Sequence, residues 1–394
     1  MKFKLNEIGD LKNGANFPSG SYGKGIPIVN VKDLFTRRYV DKDNLTELNI
    51  GILKNPNDYD VQENDILFSR SSLVRSGAGM CALAHNLPIN TIFCGFIIRF
   101  RVKRVDIVNP LYVLYLLRTP GYRKLFTDNQ QTNITNINQE TLGNIEIDLP
   151  PLEIQNKVVA RLSNIDDKYD VNNSIIAELE SMAKTLYDYW FLQFEFPNEE
   201  GKPYKSSGGK MVYNEELKRE IPEGWILKHA VDIAEIKTGK EDANHSTENG
   251  QYPFFTCSND TLKCDDYKFD SNSILIAGNG DFNVKHYKGK FNAYQRTYVI
   301  TPFNEKYIGL FELCCKQTIE RFKKGSNGSI VKFITLGDIQ NIQMLDSGQD
   351  DLLKPFNNVL VKIDVIKKEN QELASLRDFL LPMLMNGQVK FGEN

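Results

Sequence analysis

Residues 137–147, Ile-Asn-Gln-Glu-Thr-Leu-Gly-Asn-Ile-Glu-Ile, and residues 334–344, Ile-Thr-Leu-Gly-Asp-Ile-Gln-Asn-Ile-Gln-Met, read as one segment written twice. A single offset of 197 positions pairs Ile137 with Ile334, Leu142 with Ile339, Asn144 with Asn341, Ile145 with Ile342 and Ile147 with Met344. The same offset pairs Asn173 with Asn370, Ile176 with Leu373, Leu179 with Leu376, Ala183 with Leu380 and Leu186 with Met383. Two matched blocks with poor agreement between them mark a diverged duplication, so the 394-residue chain is two related halves. The openings of the halves agree at drifting offsets that imply insertions. Ile8-x-x-Leu11-x-x-Gly14 resembles Ile233-x-x-Ile236-x-x-Gly239, Ile26-Pro-Ile-Val resembles Tyr252-Pro-Phe-Phe, and Asn64-Asp-Ile-Leu-Phe resembles Asn272-Ser-Ile-Leu-Ile. Short apolar runs after polar turns signal strands. Each half therefore reads as an opening helix or strand, several short strands, a helix and a final strand pair.

A long helical pattern follows each half. Val158, Leu162, Ile165, Tyr169, Asn172, Ile176, Leu179, Ala183, Leu186 and Trp190 alternate spacings of four and three, the seam of a coiled coil that needs a partner helix. Pro150-Pro151 sets its start, with Glu153 in the first turn, where negative charge suits the helix dipole. The second pattern, Phe356, Leu360, Ile363, Asn370, Leu373, Leu380 and Leu384, is looser and is expected to begin after Pro355. One asparagine in each seam, Asn172 and Asn370, suits a device that fixes register. Two ordinary amphipathic helices packed on their own domains would be the simpler reading, but equivalent placement in the two halves favours mutual packing. The expected organisation is a first mixed α/β domain over 1–150, a helix over 151–193, a connector over 194–224, a second domain over 225–349, and a second helix with a tail over 350–394. The connector, rich in Gly, Pro, Ser and Lys, reads as an ordered crossing with a flexible tip at Ser206-Ser-Gly-Gly209.

The net charge of -3 conceals strong segregation. Between Ser69 and Thr127, Arg70, Arg75, Arg99, Arg101, Lys103, Arg104, Arg118, Arg123 and Lys124 face Asp106 alone. Between Val284 and Lys332, ten cations (Lys285, Lys288, Lys290, Arg296, Lys306, Lys316, Arg321, Lys323, Lys324 and Lys332) face only Glu305, Glu312 and Glu320. Ten acids against four bases fill 151–200 between them. Local basic patches attract phosphates whatever the total charge.

Catalytic signatures are missing. No phosphate-binding Gly-Lys loop, nucleophile elbow or Asn/Asp-Pro-Pro-Tyr adenine-methylation motif occurs, and Gly278-Asn-Gly280 fails the dinucleotide pattern and reads as a tight turn presenting Asn279. The four histidines lack an acidic partner by spacing, and no two of the six cysteines sit at ligand spacing from a histidine, so the thiols read as reduced and mostly buried, with a chance metal pair at Cys257 and Cys264 as the open alternative. No metal or cofactor site and no enzymatic activity are therefore expected in this chain. With no long apolar run and no signal-peptide pattern, a cytoplasmic location is expected. What the sequence offers instead is base-reading chemistry. Arg70, Ser71 and Arg75 cluster with hydroxyls and a glycine after a strand. Asn129, Gln130, Gln131 and Asn133 occupy the place in the first half that Lys323, Lys324, Ser326 and Asn327 occupy in the second. Arg matches guanine, Asn and Gln match adenine, and Lys, Ser and amides suit phosphate. Together with Asn279, Lys285, Lys288, Lys290 and Arg296, these are the candidate DNA-contacting residues.

Three stretches now place the chain beside a known family: Leu149-Pro-Pro-Leu-Glu-Ile-Gln155, Leu186-Tyr-Asp-Tyr-Trp-Phe191 with the stretch from Phe194 to Trp225, and Leu376-Arg-Asp-Phe-Leu-Leu-Pro-Met-Leu-Met-Asn-Gly-Gln-Val389. In these the sequence resembles the specificity subunits of type I restriction-modification systems, departing where Leu345-Asp-Ser-Gly replaces Leu149-Pro-Pro-Leu. The resemblance implies an α+β fold with two target recognition domains, separated by two long helices paired antiparallel as a coiled coil, with a pseudo-two-fold internal repeat. Each domain would read half of a bipartite, asymmetric site on double-stranded DNA, and the helices would set the spacer. Leu162, Ile165, Tyr169, Asn172, Ile176, Leu179 and Leu186 would pair with Leu360, Ile363, Asn370, Leu373 and Leu380. Two methyltransferase subunits, using S-adenosylmethionine on adenine N6, and restriction subunits, using ATP and Mg²⁺, would be the partners. Open alternatives are a stand-alone modification complex, a coiled-coil adaptor that does not read DNA, and a fused enzyme.

Overall fold

The computed structural model describes residues 1–36, 38–72, 77–127, 135–280, 282–324 and 333–388. The chain divides into two compact units, Met1–Val171 with Glu369–Asn394, and Asn172–Lys368.

In the first unit, β1 (Lys2–Lys4), α1 (Leu5–Ile8) and β2 (Gly9–Asn13) are followed by β3 (Gly25–Val29), β4 (Thr46–Asn49), β5 (Ile66–Ser69), β6 (Ser71–Ser72), β7 (Cys81–Leu83), β8 (Ile92–Phe93) and β9 (Ile97–Val102). Then come α2 (Pro110–Leu117), α3 (Pro120–Thr127), β10 (Thr135–Asn136), α4 (Gln139–Gly143), β11 (Glu146–Asp148) and the long α5 (Leu152–Tyr187). The strands form sheets in the orders β2-β9-β5-β7 and β4-β3-β8, with β1 closing on β11 and β6 on β10. Helix α2 starts cleanly because Asn109 caps the Leu111 and Tyr112 amides and Pro110 supplies a preset φ at a position that needs no donor. Its apolar run, Tyr112 to Leu117, is buried in one core with Ile66, Phe68, Phe100, Val158 and Leu162.

The second unit contains the rest of α5, a π-helical turn over Asp188–Leu192, and the hairpin β12 (Met211–Asn214) and β13 (Arg219–Pro222). Next are β14 (Ile226–His229), α6 (Ala230–Ile233), β15 (Ala234–Thr238), β16 (Tyr252–Phe255), β17 (Leu262–Cys264), β18 (Phe269–Ala277), β19 (Val284–Ala293) and β20 (Thr297–Pro302). The unit continues with α7 (Ile308–Lys324), α8 (Leu336–Gln340), β21 (Gln343–Asp346) and α9 (Asp350–Met385), whose last turns belong to the first unit.

The two sheets are the same design. The second is a single six-stranded sheet, β15-β20-β18-β19-β16-β17, in which the long β19 fills the places that β7 and β8 fill separately in the first unit. Registers agree residue by residue. Ile66 opposes Phe100 as Ile274 opposes Ile300, Val29 pairs with Phe93 as Phe255 pairs with Ala293, and Phe3 opposes Ile147 as Lys228 opposes Met344. The echoed Gly14 and Gly239 have a steric reason. A Cβ on either would lie 2.1 Å from a carbonyl oxygen, of Cys94 in one unit and Ala293 in the other, so only glycine admits this approach.

The long helices pair antiparallel within each unit. In the first, Val158 and Leu162 share a core with Leu381 and Leu384, and Lys168 lies 3.4 Å from Glu369. The second buries Ala183, Phe191, Leu353, Phe356 and Leu360 together. Every seam position singled out above is buried or half-buried: Leu162, Asn172, Leu360, Ile363 and Asn370 are buried, and Ile165, Tyr169, Ile176, Leu179, Leu186, Leu373 and Leu380 are half-buried.

Two expectations need correction. Helix α9 begins at Asp350, five residues before Pro355, because Leu352, Leu353 and Phe356 are buried in the core and hold the first turns despite the hydrogen bond that proline removes. The Ser206–Gly209 tip is a hydrogen-bonded turn: the Ser206 amide donates to Glu195 at 3.0 Å and the Gly209 amide to the Tyr204 carbonyl at 2.9 Å. Around it, Phe196 stacks between Tyr204 and Trp225 at ring separations of 4.6 and 4.8 Å.

Candidate nucleic-acid interface

At one corner of each sheet, the central strand leaves the sheet beside the turn that joins its neighbours. In the first unit the Arg70 amide donates to the Phe96 carbonyl at 2.8 Å, and the Arg70 carbonyl accepts from Ile137 at 2.8 Å. In the second, the Gly278 amide donates to the Arg296 carbonyl at 2.8 Å, and the Gly278 carbonyl accepts from Ile334 at 2.8 Å. The flanking bonds match too: Gly14 to Ile97 and Gly239 to Thr297, Gly95 to Ala15 and Gln295 to Glu241, Cys94 to Val29 and Tyr294 to Phe255. Corresponding backbone frames thus carry different side chains at the same points, with one extra residue between Gly239 and Glu241 relative to Gly14 and Ala15. Arg70 and Phe96 in the first unit stand where Gly278 and Arg296 stand in the second.

Side chains at the first corner include Arg70, half-buried with its guanidinium 3.5 Å from the Gly95 carbonyl, and Phe96, which is 64% exposed. Phe96 borders a recess of about 400 Å³ with Tyr22, Asn30 and Thr46. Tyr22 donates to Asn30 at 2.9 Å, and Asn30 donates to Thr46 at 2.7 Å, so this polar floor is internally fixed. The second corner brings together Asn279, Asn283, Lys285 and Arg296. Asn283 donates to the Cys257 carbonyl at 3.0 Å and Lys285 to the Ser258 carbonyl at 2.9 Å, tying the 257–260 loop to the start of β19. Burial pushes the Lys285 ammonium below the ordinary lysine value. Arg296 is exposed and makes no ion pair among the described residues.

Not every candidate joins these corners. Lys288 and Lys290 oppose Asn272 and Asp270, about 17 Å or more along the strand from Ala277 at the usual rise per residue. Lys288 pairs with Glu305 at 3.0 Å and Lys290 lies over the Tyr267 ring at 4.6 Å, so both are removed from the corner. Lys323 ion-pairs with Glu320 at 3.4 Å but shares a cavity wall with Phe282 and Asn283, beside the second corner. Arg75, Asn129, Gln130, Gln131, Asn133, Ser326 and Asn327 lie outside the described residues, as do the side chains of Ser71 and Lys324.

The basic patches counted along the chain are largely consumed by structure. Arg99 and Arg101 bond Asp60 and Asp65, with Arg101 forming two 2.7 Å bonds to Asp65. Arg118 caps the Cys81 carbonyl, Lys103 pairs with Asp10 at 3.0 Å, and Lys316 bridges Glu180 and Glu312. These acids lie mostly outside the counted windows, which is why linear counting overstated the patches.

All four histidines have acidic neighbours, His85 with Glu63, His229 with Glu216, His245 with Asp266 and His286 with Asp364, and two correct the expectation from spacing, since His229 also meets Asp232 at i+3 and His245 meets Glu241 at i−4. His245, Cys264 and Asp266 offer donor atoms within 4.8 Å of one another, unseen in the sequence because a loop and a strand end supply them. Each already has a partner, since His245 meets Asp266 at 2.7 Å and the Cys264 thiol meets the Asp266 carbonyl at 3.1 Å. Burial pushes that thiol up. No helix among the described residues is long and apolar enough to cross a membrane.

Comparison with known proteins gives concordant results. The family model described as type I restriction modification DNA specificity domain matches residues 1–181 and 222–344. The type I restriction enzyme EcoDI specificity subunit of Escherichia coli is 34% identical over 176 residues, 43% of this chain and 39% of that protein. The MjaIX specificity subunit of Methanocaldococcus jannaschii is 26% identical over 432 aligned positions, 99% of this chain and 93% of that protein. Among solved structures, the type I restriction-modification S subunit from M. genitalium shares the fold, with a TM-score of 0.56 at 16% identity, covering 98% of this chain and 95% of that one. With two matched sheets, each followed by a long helix, and a family match over both halves, this chain belongs to the type I restriction-modification DNA specificity family.

Proposed function

We propose that this chain is the non-catalytic, sequence-reading subunit of a type I complex, with each α/β domain reading one half of a bipartite, asymmetric DNA site. The observation that carries this reading is the pair of corners: two matching backbone frames whose outward side chains differ. A duplicated scaffold with diverged contact residues suits recognition of two different half-sites, since base contacts specify while phosphate contacts only position. The paired helices act as a ruler. A helix of 36 residues is about 50 Å long at 1.5 Å per residue, enough to hold two major-groove contacts more than one DNA turn apart. The same helices dock two methyltransferase subunits, which methylate adenine N6 with S-adenosylmethionine. Restriction subunits, where present, supply ATP- and Mg²⁺-dependent cleavage, and the modification complex forms without them.

The organisation follows as recognition domains over 1–150 and 225–349, spacer helices over 151–193 and 350–394, and a connector over 194–224. Mapping N6-methyladenine across the host genome, with and without the gene for this chain, tests the reading. One bipartite motif that disappears with the gene is the expected result. Methylation unchanged by the deletion, or tracking a continuous motif, would refute it and favour the coiled-coil adaptor.

A further inference from the structure

We infer that the turn at Cys94–Phe96 and its counterpart at Tyr294–Arg296 set the difference between the half-sites, with Phe96 reading a thymine methyl group and Arg296 reading a guanine edge. The inference rests on the DNA-reading function proposed above. Its basis is the backbone match of the two turns, held by four corresponding hydrogen bonds around each: the Arg70 and Gly278 amides and the Gly14 and Gly239 amides donate to turn carbonyls, while the Gly95 and Gln295 amides and the Cys94 and Tyr294 amides donate outward. On that frame the chemistry is exchanged. The first turn carries Phe96, whose ring is 64% exposed without a stacking partner among the described aromatic pairs. Beside it the small Cys94 side chain leaves the recess bordered by Tyr22 open.

The second turn carries Arg296. Most cations near it along the sequence are engaged, Lys285 on carbonyls, Lys288 on Glu305 and Lys316 on two glutamates. Arg296 is exposed and outside every ion pair among the described residues. An exposed aromatic ring suits the thymine C5-methyl group, the one apolar feature of the major groove, whereas an unengaged guanidinium suits O6 and N7 of guanine. The cation is also relocated between the units. Arg70 leans on the Gly95 carbonyl in the first corner, where the second has Gly278, which offers no side chain at all.

The test uses the complete complex in its host, with methylated adenines mapped for the wild type and for Arg296→Gln, Phe96→Ala and the exchange variant Phe96→Arg. Arg296→Gln should turn one G·C position in one half-site degenerate, with discrimination falling about 5- to 150-fold, and leave the other half-site intact. Phe96→Ala should relax one T·A position in the other half-site only, and Phe96→Arg should shift that position toward guanine. If the wild type shows a bipartite motif and all three variants keep it unchanged, the inference is overturned while the proposed function stands. A uniform loss at every position would also overturn it, because that is the signature of a phosphate or structural contact. Absence of any bipartite motif in the wild type would remove the function itself.

Discussion

Single residues decide how much of this molecule's charge is available to a partner. Asp346 is the clearest case. It is nearly buried, 2.7 Å from both the Lys228 ammonium and the Tyr307 hydroxyl. Burial pushes its carboxyl up, but Lys228, the Gly348 amide and Tyr307 together outweigh this and leave it below the usual carboxylate value. A depressed folded value means the unfolded chain binds more protons, so this stabilisation is complete above the unfolded value of about 4 and is lost as pH falls further. Asp346→Asn should therefore destabilise the second unit by about 1–3 kcal/mol near neutrality. Denaturant titrations at pH 7 and in acid should show the difference from wild type shrinking in acid; a gap independent of pH would exclude the ion pair as its source. Gln155, conspicuous in the sequence only as part of a family motif, is fully buried. Its amide donates to the Ile107 and Pro150 carbonyls at 2.8 Å and its oxygen accepts from the Asn109 amide at 2.9 Å. Gln155→Ala should cost about 1–3 kcal/mol in chemical denaturation, since it leaves buried backbone groups unpaired where α5 meets the first domain. The motif was legible, but the reason for its glutamine was not, because all three partners come from outside the helix.

At the scale of elements, the helices have two kinds of apolar position. Seam residues such as Leu162 are buried, while Ile175 and Met182 on α5 and Tyr189 in the π-helical turn that follows, spaced by seven, stay 41%, 63% and 40% exposed. Leu162→Ala should destabilise the first unit by about 2–5 kcal/mol. Met182→Glu should change stability by less than about 0.5 kcal/mol and yet, on the function proposed above, weaken association with the proposed methyltransferase subunit in pull-down titration. Unaltered association would exclude this stripe from the docking surface. The seam was readable because a spacing of four and three survives any change of side-chain detail. Strand existence was readable for a similar reason, as with Ile66 and Ile274, which share one register. The fusion of two short strands into β19, and the start of α9 ahead of Pro355, were not readable, because neighbouring strands and a buried Leu352–Phe356 cluster override local preference.

For the whole molecule, the duplicated design predicts separable effects. Arg70→Ala with Arg75→Ala should alter recognition of one half-site, and Lys323→Ala with Lys324→Ala only the other, as read from the methylated motif of each variant; loss at both half-sites from either pair would refute modularity. Affinity for cognate duplex should fall linearly with salt on logarithmic axes, each lost phosphate contact reducing the slope by about 0.9. The sequence by itself determined the repeat, the helical seams and the family, since these rest on periodicity and on motifs that span short distances along the chain. Only the tertiary structure decided which charges are spent internally and which side chains share a corner. Arg101 meets Asp65, and Arg70 meets Phe96, across separations in sequence that no spacing rule connects. A strand pairs with neighbours chosen by the folded sheet, so the interface is assembled from residues whose proximity exists only after folding.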